Sequence, residues 1–224
     1  MLIPSIDLMG GKIVQLVKGE RKALEFDDFP QWVRRFSKFP IVQVIDLDAA
    51  MGKGDNRQLV RGLCAELPCQ VGGGLRTTEA ARQILEWGAK KAIIGSSLFS
   101  GANTDIPFAT DLADQLGADQ LIFAVDSRGG YVSVKGWKES TGLRPADAMR
   151  KLEPFCSAFL YTHIDTEGMM QGFPFSVLED LRHATGKKLI VAGGIKSAAE
   201  IARLDEMGID AVVGMAIYTG VLQA

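Results

Sequence analysis

The sequence predicts an α/β fold, a (β/α)8 TIM barrel built from two half-barrel repeats with a shortened eighth helix. Two observations lead to this prediction. Short runs rich in Val and Ile alternate with segments whose apolar residues recur at helical spacing, which is typical of a parallel sheet covered by helices. Several motifs also recur about 119 residues apart, so the two halves of the chain share one order of elements.

Eight strands are predicted, four in each half. Each is a short apolar run rich in β-branched residues and bounded by turn-forming or charged residues. They lie near residues 2–7, 41–47, 69–73, 91–95, 120–126, 158–164, 188–192 and 210–214.

Seven helices are predicted between these strands. Thr77 and Ser197 stand where a helix N-cap is needed, and Glu200 completes a capping box with Ser197. Few residues follow Gly214, so the eighth helix can only be a stub. The predicted helices are Pro30–Phe36, Gln58–Glu66, Thr78–Trp87, Phe108–Leu116, Pro145–Phe155, Phe175–Ala184 and Ala198–Met207.

Two matched halves of four strands close most simply into a barrel, because right-handed crossovers place each strand beside the last. A doubly wound open sheet is the alternative for the same order of elements. No linker-like stretch divides the chain, so we expect one domain over residues 1–224, with half-barrels of approximately 1–118 and 119–224.

The composition is that of a soluble globular protein, with 47% hydrophobic residues and a net charge of −2. We expect no nucleic-acid partner, because this charge provides no attractive field, and no membrane association, because no apolar run reaches about 20 residues. The three cysteines form no CxxC pair and no signal peptide is evident, so we expect a cytoplasmic location. Without a long exposed apolar stripe, a monomer is expected.

Two aspartates are candidates for acid/base chemistry. Asp7 ends the first strand and Asp126 ends the fifth, and each stands three residues before a Gly-Gly pair. In a barrel of two equal halves these carboxylates face each other across the mouth, where they can act as general acid and general base. The alternative is that each only caps the backbone of its own Gly-Gly turn.

Glycine-rich turns predict two phosphate cradles. Glycine lets backbone N–H groups approach an anion closely, and a following helix N-terminus adds partial positive charge. Two cradles on opposite sides of a barrel imply a small-molecule partner that is phosphorylated at both ends. The chain has only two histidines and no Cys/His set at metal-ligand spacing, so no metal site is predicted. The cradles are Gly193-Gly194 with Gly214-Met215, and Gly73-Gly74 with Gly95-Ser96.

An ordered set of motifs runs from residue 2 to about residue 220. They are Ile6-Asp7-Leu8, Val44-Ile45-Asp46-Leu47-Asp48, Gln70-Val71-Gly72-Gly73-Gly74-Leu75-Arg76, Val125-Asp126-Ser127-Arg128-Gly129-Gly130, Lys135-Gly136-Trp137, Tyr161-Thr162, Ala192-Gly193-Gly194-Ile195 and Val213-Gly214. Together these motifs resemble the ProFAR isomerase family of histidine biosynthesis, in full the phosphoribosylformimino-5-aminoimidazole carboxamide ribotide isomerases.

The resemblance implies an Amadori rearrangement of the aminoaldose ProFAR to its aminoketose PRFAR, without a metal or an organic cofactor. Asp7 matches the family's general base, Asp126 matches the carboxylate on the facing strand, and Thr162 matches a hydroxyl that supports the substrate. Trp137 would stack on the imidazole carboxamide, and Arg76 would pair with a phosphate or carboxamide group. On the residues alone, Trp137 could equally cover the core, and Arg76 could be a solvated charge.

The chain departs from the family pattern at three positions. Glu167 stands where aspartate is usual after the sixth strand, and this leaves open whether Asp126 or Glu167 is the general acid. Gln15 replaces an arginine that is common in the first loop. Met215 replaces a lysine or arginine, which removes a positive charge from one cradle.

Three other functions remain open at this stage. One is the cyclase that acts next in the pathway, but Ser5-Ile6-Asp7 and Lys135-Gly136-Trp137 favour the isomerase. The second is a dual-specificity isomerase that also accepts phosphoribosylanthranilate. The third is a non-catalytic barrel that binds a bisphosphate. His163 is expected to be structural, because alternation along the strand points it away from Thr162. Asp46, Asp48 and Asp165 are expected to bond loop backbone or to hold neighbouring side chains in place.

Overall fold

The chain forms a closed barrel of eight parallel strands. The structure is a computed structural model, and it describes residues 1–223. Each strand pairs in parallel with the next one along the chain, and β8 pairs with β1 through Leu2–Ala211, Ile3–Val212 and Pro4–Val213. The prediction of a barrel is therefore confirmed over the open sheet. The strands are β1 (Leu2–Met9), β2 (Val42–Asp46), β3 (Cys69–Gly72), β4 (Lys91–Ile94), β5 (Leu121–Ala124), β6 (Ala158–Thr162), β7 (Lys188–Ala192) and β8 (Asp210–Val213).

Helices lie between the strands and cover the outside of the barrel. All seven predicted helices are present within a few residues of their expected bounds, and the short α9 stands where the shortened eighth helix was predicted. The short α2 was not predicted. Among residues 1–223, no helix is long and apolar enough to span a membrane. The helices are α1 (Phe29–Phe36), α2 (Leu47–Met51), α3 (Arg57–Glu66), α4 (Thr78–Glu86), α5 (Ile106–Leu116), α6 (Pro145–Leu152), α7 (Leu178–Ala184), α8 (Ala198–Glu206) and α9 (Met215–Tyr218).

A β-hairpin that the sequence analysis missed extends the barrel next to β1. Its strands, Lys12–Val17 and Arg21–Phe26, run antiparallel to each other, and the first also pairs with the end of β1. The register between the two strands shifts at Gln15 and Leu16, which marks a β-bulge or a similar irregularity. A smaller antiparallel sheet follows β5, in strands Ser127–Arg128, Tyr131–Val134 and Glu139–Ser140. Both additions lie at the end of the barrel where the candidate carboxylates are found.

The core has two layers, as alternation along the strands requires. Ile122 and Leu160 belong to a cluster that fills the barrel, whereas their neighbours Phe123 and Phe159 belong to the larger cluster between the strands and the helices. Successive side chains of a strand point to opposite faces, and strands covered on both sides are apolar throughout. The inner layer fills the inside of the barrel with packed side chains and closes the bottom of the mouth.

The short α9 is held by an aromatic cluster beneath the hairpin. The ring centroid of Tyr218 lies 4.2 Å from that of Trp32 and 5.3 Å from that of Phe26. The Tyr218 hydroxyl donates a hydrogen bond of 3.0 Å to the Ser5 carbonyl in β1. Aromatic packing at these distances thus anchors the short α9 to the barrel wall.

Replacing Ser197 with alanine is expected to lower the free energy of unfolding by about 1 kcal/mol. Both halves of the predicted capping box are formed at the start of α8, with the Ser197 hydroxyl accepting from the Glu200 N–H and the Glu200 carboxylate accepting from the Ser197 N–H. Urea denaturation measures the change. Ser197→Thr, which keeps the capping hydroxyl, should lose much less, and an equal loss in both variants would contradict this account.

Candidate active site

A cavity opens at the carboxyl ends of the barrel strands. Its walls include residues from the ends of all eight strands and from the loops that follow β1, β5 and β6. This is the end of a barrel where catalytic groups are found, because the strand ends and loops converge there. Asp7, Asp126, Thr162 and Glu167 all line this cavity.

Asp7 lies near the end of β1, where its side chain is largely removed from water. The Ser5 hydroxyl donates a 2.8 Å hydrogen bond to the Asp7 Oδ1. Burial in the cavity raises the pKa of Asp7 to about 6, and the Ser5 hydrogen bond offsets part of this effect. At neutral pH this carboxyl is mainly ionised, yet it is a stronger base than an ordinary aspartate.

Asp126 follows β5 on the opposite side of the barrel. The Trp137 indole Nε1 donates a 2.7 Å hydrogen bond to the Asp126 Oδ2, and the Thr162 hydroxyl also hydrogen-bonds to this carboxylate. Burial raises the pKa of Asp126, while these two hydrogen bonds lower it by favouring the ionised form. Thr162 therefore supports Asp126 in the free protein.

Glu167 reaches the same cavity from the loop after β6. Burial raises the pKa of Glu167 to about 8, and the nearby Asp7 and Asp126 carboxylates contribute to the rise. Like charges in a site of low dielectric cannot all ionise together. The pKa of Glu167 is about 8 and that of Asp7 is about 6, so Glu167 rather than Asp7 holds its proton at neutral pH.

The first predicted cradle borders the cavity directly. Gly73, Gly74, Gly95 and Ser96 all line it. Arg76 lines it too, and its guanidinium donates hydrogen bonds of 3.2 and 3.1 Å to the carbonyls of Ala49 and Ala50 at the end of α2. The Ser96 hydroxyl accepts a 2.9 Å hydrogen bond from the Lys135 N–H, which ties this cradle to the loop after β5.

The second predicted cradle is more enclosed. Only Gly214 of its four residues borders the cavity, and Gly193, Gly194 and Met215 are buried. The Gly172 N–H donates a 2.9 Å hydrogen bond to the Gly194 carbonyl, so the loop after β6 covers this turn. The half-repeat therefore places equivalent turns on both sides of the barrel, but the first cradle is more accessible from the cavity than the second.

Three loops interlock over the cavity. The Lys18 N–H donates a 3.0 Å hydrogen bond to the Glu167 carbonyl, and Arg128 hydrogen-bonds to Glu20 and to the Lys18 carbonyl. Gly19 touches the Trp137 ring so closely that a side chain at Gly19 would overlap it. Among residues 1–223, every non-glycine with a left-handed backbone lies in these loops, namely Lys18, Lys135, Trp137 and Met170. Such costly conformations persist where the surrounding structure enforces them, as at functional sites.

Comparison with known proteins identifies the family. The family model described as "Histidine biosynthesis protein" matches residues 1–223. The chain belongs to this histidine biosynthesis family. It is similar to a protein of Methanocaldococcus jannaschii, with 32% identity over 99% of this chain and 95% of the relative. It is also similar to a protein of Thermus thermophilus, with 34% identity over 98% of this chain and 94% of the relative. Both relatives are named as phosphoribosyl-imidazole-4-carboxamide isomerases, that is, ProFAR isomerases.

In this family member, the other acidic residues near the mouth hold loop backbone, as predicted. Asp46 accepts hydrogen bonds from the N–H groups of Ala49 and Asn56, at 3.1 and 2.6 Å. Asp48 accepts from the Gly10 N–H at 2.6 Å, and Asp165 accepts from the Gly129 N–H at 2.8 Å. These contacts fix the two Gly-Gly turns and leave Asp7 and Asp126 free of that task.

His163 is turned away from the cavity. Its ring Nδ1 lies 3.0 Å from the Thr166 hydroxyl, and burial lowers its pKa. Among the described residues, no group of three or more His, Cys, Asp or Glu side chains is arranged to hold a metal ion.

Sequence reasoning missed several polar residues that line the cavity. Ser5, Gln43 and Ser97 lie on its wall, and Gln15 enters it from the hairpin. Ser5 and Gln43 stand inside otherwise apolar strand runs, and this exception to the pattern was the available signal. Gln15 had been noted only as a departure from the family, since its position depends on a hairpin that was not predicted.

Replacing Trp137 with phenylalanine is expected to raise the pKa of Asp126 further. The indole N–H stabilises the ionised carboxylate, and phenylalanine keeps the aromatic ring but has no such donor. Carbon-13 NMR titration of the aspartate carboxyls measures the shift. Trp87→Phe, a change of the same kind at a tryptophan that does not line the cavity, is the control and should leave Asp126 unaffected. An unchanged or lowered pKa in Trp137→Phe would refute the role of this hydrogen bond.

Proposed function

We propose that this protein isomerises ProFAR to PRFAR by an Amadori rearrangement, with Glu167 as the general acid and Asp7 as the general base. One observation carries this proposal. Two carboxyls of the same cavity have environments that separate their pKa values, to about 6 for Asp7 and about 8 for Glu167. Such a pair can supply and remove protons at the same pH. The names of the relatives support the choice of substrate.

The reaction needs two proton transfers by the protein. Glu167 donates its proton to the ribosyl ring oxygen, and the C1′–O bond breaks to give an open-chain Schiff base. Asp7 then removes the proton from C2′, and the electron pair of that bond forms an enolamine. Tautomerisation of the enolamine gives the aminoketose. No net oxidation occurs, because C1′ is reduced as C2′ is oxidised.

Asp126 has a supporting role in this proposal. Its carboxylate already accepts hydrogen bonds from Trp137 and Thr162, and its negative charge helps to keep the proton on Glu167. It also stabilises positive charge on the Schiff base nitrogen as the ring opens. Trp137 is released to stack on the imidazole carboxamide when the substrate enters.

The two cradles would hold the two phosphates of the substrate. The full name of the relatives' enzyme describes a compound with two phosphoribosyl groups, which fits a long ligand laid across the mouth between the cradles. We propose that this bisphosphorylated small molecule is the physiological ligand, and that the protein works as a monomer in the cytoplasm.

The direct test is turnover of ProFAR by the purified full chain in buffer with a chelator. We expect an absorbance change from product formation, and none with the double variant Asp7→Asn/Asp126→Asn, which controls for isomerase carried over from the expression host. Phosphoribosylanthranilate is tested in parallel, because both compounds are aminoaldoses. Turnover of both would indicate dual specificity. Tight binding of ProFAR without turnover would indicate the non-catalytic barrel and overturn the proposal.

A further inference from the structure

The amide of Gln15 occupies the space in front of the second cradle. A Cβ built on Gly214 would overlap the Gln15 Oε1 and would lie 3.1 Å from its Cδ and 3.2 Å from its Nε2. Gln15 is only 3% exposed, and it borders the cavity together with Gly214. A phosphate oxygen brought to the Gly214 turn from the cavity would therefore meet the carbonyl oxygen of this amide, which repels it.

The backbone directs Gln15 to this place. Gln15 lies in a hairpin strand in which Ile13 to Leu16 are all buried, so its side chain is enclosed by the protein. The register of the hairpin also shifts between Gln15 and Leu16, and such an irregularity re-aims a side chain and is common beside active sites. The Gln15 Nε2 donates a 2.9 Å hydrogen bond to the Val14 carbonyl, which satisfies the donor and leaves Oε1 towards Gly214.

Among residues 1–223, no equivalent side chain blocks the first cradle, because a Cβ built on Gly95, the counterpart of Gly214, would meet only the Ala124 Cβ, at 3.6 Å. In the first cradle, Gly73 and Gly74 border the cavity, and Ser96 is exposed to solvent. Arg76 stands on its rim, whereas Lys196, its counterpart in the second half, does not border the cavity and donates to the Gln171 carbonyl. The two cradles therefore differ in both access and nearby charge.

We propose that Gln15 is a specificity-determining residue that closes the Gly214 side of the second cradle, which is the side that borders the cavity, in the free protein. A phosphate enters this cradle only when the Gln15 side chain moves, so the cradle of Gly73, Gly74, Gly95 and Ser96 fills first. This inference rests on the phosphate recognition in the proposed function. Moving Gln15 costs about one buried hydrogen bond, which corresponds to roughly a threefold to tenfold difference in affinity.

The test is a titration of the nitrogen-15-labelled full chain with inorganic phosphate, followed by NMR. The amides of Gly74 and Ser96 report on the first cradle, and those of Gly194 and Gly214 report on the second. Gln15→Ala removes the blocking amide. Gln15→Glu keeps its size and adds a negative charge, and it remains informative if the alanine variant folds poorly. Gln43→Ala is the control, since Gln43 is another buried glutamine on the cavity wall but accepts its hydrogen bond from Gln70.

In the parent and in Gln43→Ala, the second cradle should need roughly threefold to tenfold more phosphate than the first. In Gln15→Ala the two midpoints should move closer together without becoming equal, because Arg76 still stands beside the first cradle only, and in Gln15→Glu they should move further apart. Equal midpoints in the parent, or a midpoint ratio that neither Gln15 variant changes, would overturn the role of Gln15 but not the phosphate recognition. No response at either cradle, in the parent or the variants, would overturn the phosphate recognition as well.

Discussion

Replacing Asp7 with asparagine is expected to lower kcat for ProFAR by a factor of roughly 10² to 10⁴, the usual contribution of a general base. Asparagine has nearly the same shape and can still accept the Ser5 hydrogen bond, but it cannot take the C2′ proton. KM should change little, because the lost interaction belongs to the transition state. Steady-state kinetics at neutral pH measure both constants.

Asp114→Asn provides the matched control, since it removes the charge of an exposed aspartate on α5. Its kcat should equal that of the parent. If Asp7→Asn folded normally and kept more than about a tenth of the parent kcat, then Asp7 would not be the base.

Replacing Glu167 with glutamine should also lower kcat, again by roughly 10² to 10⁴. Glutamine retains the length of the side chain and can occupy the same buried position, but it cannot donate a proton to the ring oxygen. The loss should be specific to substrates that require ring opening. Synthetic open-chain Schiff base analogues, whose ring is already open, should react in Glu167→Gln at a rate close to that in the parent.

Glu167→Asp separates the chemistry from the reach of the side chain. It keeps the carboxyl but shortens it by one methylene, so we expect a smaller loss than for glutamine. Equal losses in both variants would mean that position matters more than proton donation, and full activity in Glu167→Gln would transfer the role of acid to Asp126.

The barrel was predictable because its signals are local and repeated. Each strand is a compact apolar run, and caps such as Thr77 and Ser197 mark where helices begin. The hairpin at residues 12–26 was missed, since its first strand has four consecutive buried residues and so lacks the alternation that marks a half-buried strand. Its outer strand is mostly exposed and adds no strong apolar pattern.

The half-repeat predicted where Asp7 and Asp126 lie. It did not predict which of the other acidic residues in each half binds loop backbone and which enters the cavity. Glu167 occupies the position in the second half that Asp48 occupies in the first, about 119 residues earlier. Asp48 binds the Gly10 N–H, whereas Asp165 binds the matching Gly129 N–H and leaves Glu167 free to enter the cavity. This exchange depends on loop geometry, which a sequence repeat does not encode.

The pH dependence of kcat/KM for ProFAR tests the central assignment most directly. The base Asp7 must be ionised, so activity should rise as the pH increases through about 6. The acid Glu167 must be protonated, so activity should fall as the pH increases through about 8. The account predicts a bell-shaped profile for the parent and the loss of its upper limb in Glu167→Gln. An upper limb that persists unchanged in Glu167→Gln would contradict it.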